Sequence, residues 1–538
     1  MPVGARPAAD QMTDVVVVGS NPGALAAALA CRREGLEVLV VEASGLIGGP
    51  EALGAGQLWA PGLTQNDDYA TARDYFDRVV GDPEPASSAP RRHAFLTGTA
   101  PLAGWLAELG VGLHPDQVGD HYPQIPGGRG EGRVLAPEPA DATVIGQLAS
   151  VVPDGQQNDA SGLVDRLENG ARLVGDLARG RRIVYGGASV VVGLLAACQR
   201  AQVNLWWDAP VRVLLTSSPD GRPQRVTGAL VQRGGRLVRV FAGRGVILAQ
   251  GGFEADATMR RKYLPTPSRP AWTLGQGRDD GVRQLAWAEE LGLQVAGLGA
   301  AWWRPGLWDP SGRVWDAGPA LAAPHGFMVD ATGRRFTNEA GAGNDICRAW
   351  YARAREFGPE MVAWLVLDAA HRHRGRLGDL PPGRVSRNAE KSGWLVSGRT
   401  LPELAWRIKV DAAGLQATAE RFDGFAERGV DDDLGRGNSV ADRARGDRTH
   451  RPNPCLGAVH RGPFHAVRVV PADLGTKGGL LTDEYARVMR EDGPMPGLWA
   501  IGSSAASVTG VSDPAPGVGH AEAMVMGRAA AASISRTS

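Results

Sequence analysis

The chain is poor in the features that would assign it quickly. Its 538 residues hold only four cysteines, Cys31, Cys198, Cys347 and Cys455, far apart and without a CxxC, which excludes a zinc ribbon or dithiol redox motif and suits reduced thiols. Basic and acidic side chains balance at 58 each, so no net field argues for nucleic acid or an anionic membrane. No apolar run reaches the ~18 residues of a membrane span. The longest candidate, Ala188 to Cys198, reads as a buried helix. The N-terminal MPVGARPAADQMTD has no signal-peptide core, so a cytoplasmic location is expected. No internal repeat is visible, and the 74 glycines follow no period. What remains is a globular protein of roughly two to four domains by length, suited to small-molecule chemistry.

Against these absences stands a clear start. DVVVVG (Asp14 to Gly19) is a β-branched run suited to a buried parallel strand. An Ala-rich helical stretch follows, then LEVLVVEAS, a second strand ending in an acid. Glu42 lies 23 positions after Gly19, where a dinucleotide fold places the carboxylate for ribose hydroxyls. The glycine loop is degenerate, with Asn21 and Pro22 where a second glycine is usual. Asn tolerates left-handed geometry, and Pro suits the first helical position. At the other end, VSDPAPGVG (Val511 to Gly519) leads into an Ala-rich helix whose first N–H groups can meet an electron-rich ring edge or oxyanion.

Further segments run in a fixed order: GRGVILAQGGFEAD, AWWRPG, GFMVDATGRRFTNEA, GPFHAVRVVPADLGTKGGLLTD and PGLWAIGSSAASVTG, with DHYPQIPGGRGEGR (Asp120 to Arg133) upstream. This order resembles the fumarate reductase and 3-ketosteroid Δ1-dehydrogenase flavoproteins, the latter more closely. The resemblance implies an α/β fold: a Rossmann-like FAD-binding domain built from residues 1–292 and 455–538, with an α+β cap inserted at 293–454. Arg443 to Pro454 reads as a charged, proline-containing linker, and Pro153 to Gly162 as a polar surface excursion. The cofactor implied is FAD, held by Gly19, Asn21, Gly23, Ala24, Glu42, Gly48, Gly49, Gly251, Gly502, Ser503, Gly517 and Val518. The partners implied are a hydrophobic, steroid-like small molecule and an electron acceptor that no motif identifies; the metal expectation is none.

In the enzymes resembled, tyrosines polarise the ketone and remove a proton while flavin takes a hydride. Here the backbone donor carries over as Gly517, but Asp513 stands at the polarising tyrosine, Gly343 at the proton-abstracting one and His121 at the assisting one, beside a retained Tyr122. Asp513 could serve as base, pair with a cationic or hydroxylated substrate group, act as a protonated donor if burial raises it, or be a solvated loop acid. His121 titrates in a useful range; Asp345 is an alternative base or a helix cap. Pro50-Glu51 replaces a hydroxyl pair beside the diphosphate, and Ser503 stands where relatives often carry Asn or Glu. Trp59, Trp302, Trp303 and Trp308 could line a flat substrate slot or fill the core. Arg304 is the cation best suited to an acidic substrate group, or else a surface arginine. His520 could bond the flavin pyrimidine edge, Glu522 shares its helix, and Arg528 lies too far along for a fumarate-type proton donor. Two readings stay open: an FAD-dependent oxidoreductase with altered proton-transfer residues, and a non-catalytic relative that binds a ligand or partner with weak or absent FAD binding.

Overall fold

The computed structural model describes residues 10–64, 67–155, 180–218, 224–275 and 280–536. The β-branched run forms strand Gln11–Val18, followed by helix Pro22–Arg33 and strand Val38–Val41. Val15 to Val18 pair in parallel with Val38 to Val41 on one side and with Gly245 to Leu248 on the other. Such a ladder needs cover on both faces, and none of these four valines is more than 5% exposed. Strand Gly493–Ala500 adds to the same eight-stranded sheet, so both chain ends build it. The C-terminal helix Val518–Arg536 packs on the first helix through small residues: a Cβ on Gly23 would stand 2.8 Å from the Ala523 Cβ. The expected buried helix is present as Gly187–Arg200, and all four cysteines are buried and free.

The second sheet has six antiparallel strands and sits on the inserted segment. Its longest strand, Phe464–Thr476, pairs on one side with Ala301–Trp308 and on the other with Ala363–Leu367. This corrects the expected boundary at 454: the inserted unit's central strand lies beyond it, because the strand needs both neighbours to satisfy its backbone. Nor is Arg443 to Pro454 a mere linker. Helix Val440–Arg445 runs into it, and Asn453 is buried. The excursion expected over Pro153 to Gly162 lies, from residue 156 on, outside the described residues.

A buried polar knot ties the segment 120–133 to the first domain. Arg133 donates to Asp67 Oδ1 at 2.5 Å and to Asp120 Oδ2 at 2.7 Å, and Trp59 Nε1 donates to Asp120 Oδ1 at 2.8 Å. Trp59 therefore does not line a substrate slot. It is wholly buried and stacked against Phe76 and Phe95, its one polar atom committed to Asp120. Removing the shared cation would strand two buried carboxylates, which costs about 3–5 kcal/mol for a broken buried pair. Arg133→Leu is expected to destabilise the protein by that amount in a denaturant titration, whereas Arg129→Leu, at the exposed edge, should leave the midpoint within about 0.5 kcal/mol.

Candidate active site

The loop Val511 to Gly517 is clamped from three directions. His121 N donates to Pro514 O at 2.9 Å, the Tyr75 hydroxyl donates to the same oxygen at 2.5 Å, and Asn344 Nδ2 donates to Val511 O at 3.2 Å. Gly517 adopts φ +79°, and a Cβ there would stand 2.5 Å from the backbone of Gln57, so only glycine lets the loop close on that strand. The clamp brings Asp513 Oδ2 to 3.5 Å from His121 Nε2, with the Asp513 side chain 16% exposed. On the ring's other side, Arg445 Nη2 donates to His121 Nδ1 at 2.7 Å. A guanidinium can only donate. The neutral imidazole therefore carries its proton on Nε2 and presents it to Asp513.

The charges agree with that tautomer. Burial, aided by Arg445 and Arg304 and opposed by Asp513, holds His121 below its ordinary value. Burial would raise Asp513, but His121, Lys477 and Arg304 together outweigh it and keep the carboxyl below the usual range. Lys477 is buried, its Nζ donates to Ser512 O and lies 4.0 Å from the centroid of Trp302. Burial, against the pull of Asp513 and Glu522, brings its ammonium down to about 8. The Tyr122 hydroxyl donates to Asp345 Oδ2 at 2.9 Å, and burial with the nearby Asp345 pushes its phenol up, so it stays a proton donor.

The structure places Asp513, His121 and Tyr122 together on and beside the loop that ends at Gly517, with Arg445 and Lys477, which the sequence did not single out, against them. Arg445 was hidden in a charged stretch that reads as a linker. Lys477 lay in the quoted GTKGG run without a charge pattern to single it out. Trp302 belongs here, against Gly519 and Lys477. Trp303 does not: it is buried in the second domain's core, edge-on to Tyr351. Trp308 faces Arg468. The His520 Nδ1 donates to Gln57 O at 3.0 Å, and Glu522 accepts from Val508 N and Ser507, so both brace the loop. Arg528 lies over Trp105.

At the carboxyl ends of the first two strands a cleft is lined by Val18, Gly19, Val41, Glu42, Ala43, Val211, Gln250 and Arg283. Gly19 has φ +111°, and a Cβ there would stand 2.2 Å from Ala249 O. Asn21 is not left-handed. It caps the first helix with φ −67°, its side chain accepting from Ala24 N at 2.9 Å. Glu42 is buried, accepting from the Ser20 hydroxyl at 2.6 Å and Ser44 N at 2.7 Å; a carboxylate retains lone pairs for further donors. Gly48 donates to Ser20, Gly49 lies against Asn21, and Gly251 borders open space. Beside Gly502 the inward hydroxyl is that of Ser504, which accepts from Gln250 N; Ser503 lies next to it. Val518 opens the last helix and is buried. This cradle fits the dinucleotide FAD, with one atom left over. Glu51 Oε2 is sealed from solvent without a partner, while Oε1 accepts from Asn21 Nδ2 at 3.3 Å. Burial, with Glu42 nearby, pushes the Glu51 carboxyl up to about 7. Protonated, it adds no charge where the helix N-terminus receives a diphosphate; ionised, it repels one. Flavin fluorescence is expected to show FAD dissociation strengthening by at most about tenfold per pH unit above about pH 7. Glu51→Gln should flatten that dependence, and an unchanged pH profile in this variant would remove Glu51 from the cradle.

Comparison with known proteins agrees with this geometry. The family model described as "FAD binding domain" matches residues 14–519. The 3-oxosteroid 1-dehydrogenase of Mycolicibacterium smegmatis is 33% identical over 98% of both chains. The 4-oxocyclohex-2-ene-1-carboxylate 5-dehydrogenase of Sinomonas cyclohexanicum is 32% identical over 97% of this chain and 94% of its own. Among solved structures, the 3-ketosteroid Δ1-dehydrogenase of Sterolibacterium denitrificans in complex with 1,4-androstadiene-3,17-dione superimposes with a TM-score of 0.91 at 31% identity, covering 98% of this chain and 100% of that one. The chain belongs to this FAD-binding family, as an FAD-dependent oxidoreductase related to the 3-ketosteroid 1-dehydrogenases.

Proposed function

We propose that the protein dehydrogenates a ring ketone between the carbon next to its carbonyl, which loses a proton, and the following ring carbon, which loses a hydride, with Asp513 as the base in place of a tyrosine. The observation that carries this reading is the Asp513–His121 pair, a carboxylate kept ionised and fixed at 3.5 Å from a neutral imidazole on the clamped loop. The two relatives described above are both dehydrogenases of oxo compounds, and the cyclic, steroid-like class remains the proposed substrate.

The residues divide the work as follows. Asp513 takes the proton from the carbon beside the carbonyl; a carboxylate serves as base for such carbon acids when donors stabilise the enolate oxygen. His121 orients that carboxylate through Nε2–H, and Arg445 fixes the His121 tautomer. The Gly517 N–H and the Lys477 charge are the candidate donors for the enolate oxygen. Tyr122, held as a donor to Asp345, orders the wall beside them. FAD, when bound, supplies the two-electron acceptor for the hydride.

Anaerobic bleaching of the flavin by a panel of ring ketones, including 3-keto steroids, tests this. Asp513→Asn is expected to slow bleaching by roughly 10²–10⁴-fold, the span of a lost general base, with FAD content unchanged. Because Asp513 stays ionised through neutrality and Lys477 loses its proton near pH 8, the rate should be level around pH 7 and fall above about pH 8. Lys477→Met should abolish that alkaline fall. A colourless protein that takes up no FAD would favour the non-catalytic reading instead, and undiminished bleaching by Asp513→Asn would remove Asp513 as the base.

A further inference from the structure

Three cations stand around Asp513 and its partner His121. Arg304, Arg445 and Lys477 all act on Asp513 or on its partner His121. The other acids nearby are already engaged. Asp442 Oδ1 lies 3.8 Å from Arg445, Asp345 accepts from Tyr122, and Glu522 is bound by Val508 N and Ser507 and lies 3.6 Å from the buried Arg91. Asp513 alone faces Lys477 and Arg304 together.

Arg304 lies on strand Ala301–Trp308, half-buried, and among the described residues none forms a hydrogen bond or ion pair with its guanidinium. Its stem passes beside Gly343: a Cβ there would stand 3.1 Å from Arg304 Cδ and 3.1 Å from Pro305 Cδ. The position where the resembled enzymes keep a phenol is therefore bare next to the arginine.

A guanidinium has five donors in a planar fork that matches a carboxylate. Leaving it unpaired while a ligand excludes water from the site is costly. We infer that the substrate is a ring ketone bearing a carboxylate, and that Arg304 is the residue that binds this anionic group. This rests on the ring-ketone reading above, but the anion site is testable without turnover.

Cyclohexanecarboxylate has no ketone to oxidise and serves as the binding probe, with its uncharged methyl ester as control. Titrated into the FAD-loaded protein, the acid is expected to perturb the flavin absorbance at least tenfold more tightly than the ester. Arg304→Ala should weaken the acid by roughly tenfold to a hundredfold, as for a lost hydrogen bond to a charged group, and leave the ester unchanged. Arg304→Lys, which keeps the charge and lies within the same fold, should retain part of the preference and keep it salt-sensitive. Equal binding of acid and ester by the wild-type protein, or an acid preference untouched in both variants, overturns the inference even if ring ketones bleach the flavin. Turnover then separates the roles: with 4-oxocyclohexanecarboxylate, Arg304→Ala should raise KM and spare kcat. A fall in kcat for this ketone and its ester alike would mean that Arg304 meets the ketone oxygen, and would also overturn the inference. Binding of the acid as described without bleaching by any ketone would leave the anion site standing and remove the ring-ketone reaction.

Discussion

The active-site geometry hangs on Asp120. Its two oxygens accept from Trp59, from Arg133 and from the backbone of Arg129, deep in the first domain. With Asp120 immobile, the next residue has no freedom, and His121 uses its backbone N–H to hold Pro514. One buried carboxylate thus fixes both partners of the His121–Asp513 pair, the imidazole by direct chain connection and the acid through the carbonyl beside it. A surface ion pair could not do this, since solvent would compete for every contact. Burial makes the knot expensive to break and hence stiff.

The segments around the second sheet complete what the first sheet's side holds. They deliver Arg445 to the far nitrogen of His121, Arg304 to the neighbourhood of Asp513, and Asn344 to the backbone of Val511. The second sheet's longest strand ends at Thr476, immediately before Lys477, so the same strand carries a cation under the loop Val511 to Gly517. The site is therefore a composite of two sheets, and its electrostatics depend on their contact. The changes relative to the tyrosine pattern also fit together physically. A carboxylate at 513 is tolerable because cations surround it, and the stem of one of them, Arg304, runs beside the bare Gly343.

The sequence determined the dinucleotide half of the protein by itself. A β-branched run, an Ala-rich helix and an acid 23 residues past Gly19 are local signals whose physics is local: apolar residues pair in a buried ladder, and proline after an asparagine starts a helix. The order of the later motifs was equally legible, and with it the family and FAD. The meaning of Asp513 was not. Whether a loop acid is a base, a ligand for substrate or a solvated charge depends on the dielectric and charges around it, and those come from Asp120, Arg445, Lys477 and Arg304, hundreds of residues apart in part. The same holds for the tryptophans. Trp59, Trp302 and Trp303 are alike in sequence, yet only their neighbours decided that two fill cores and one lies against the loop. Composition and periodicity report what one residue prefers, whereas burial and field are sums over residues that only the tertiary structure brings together.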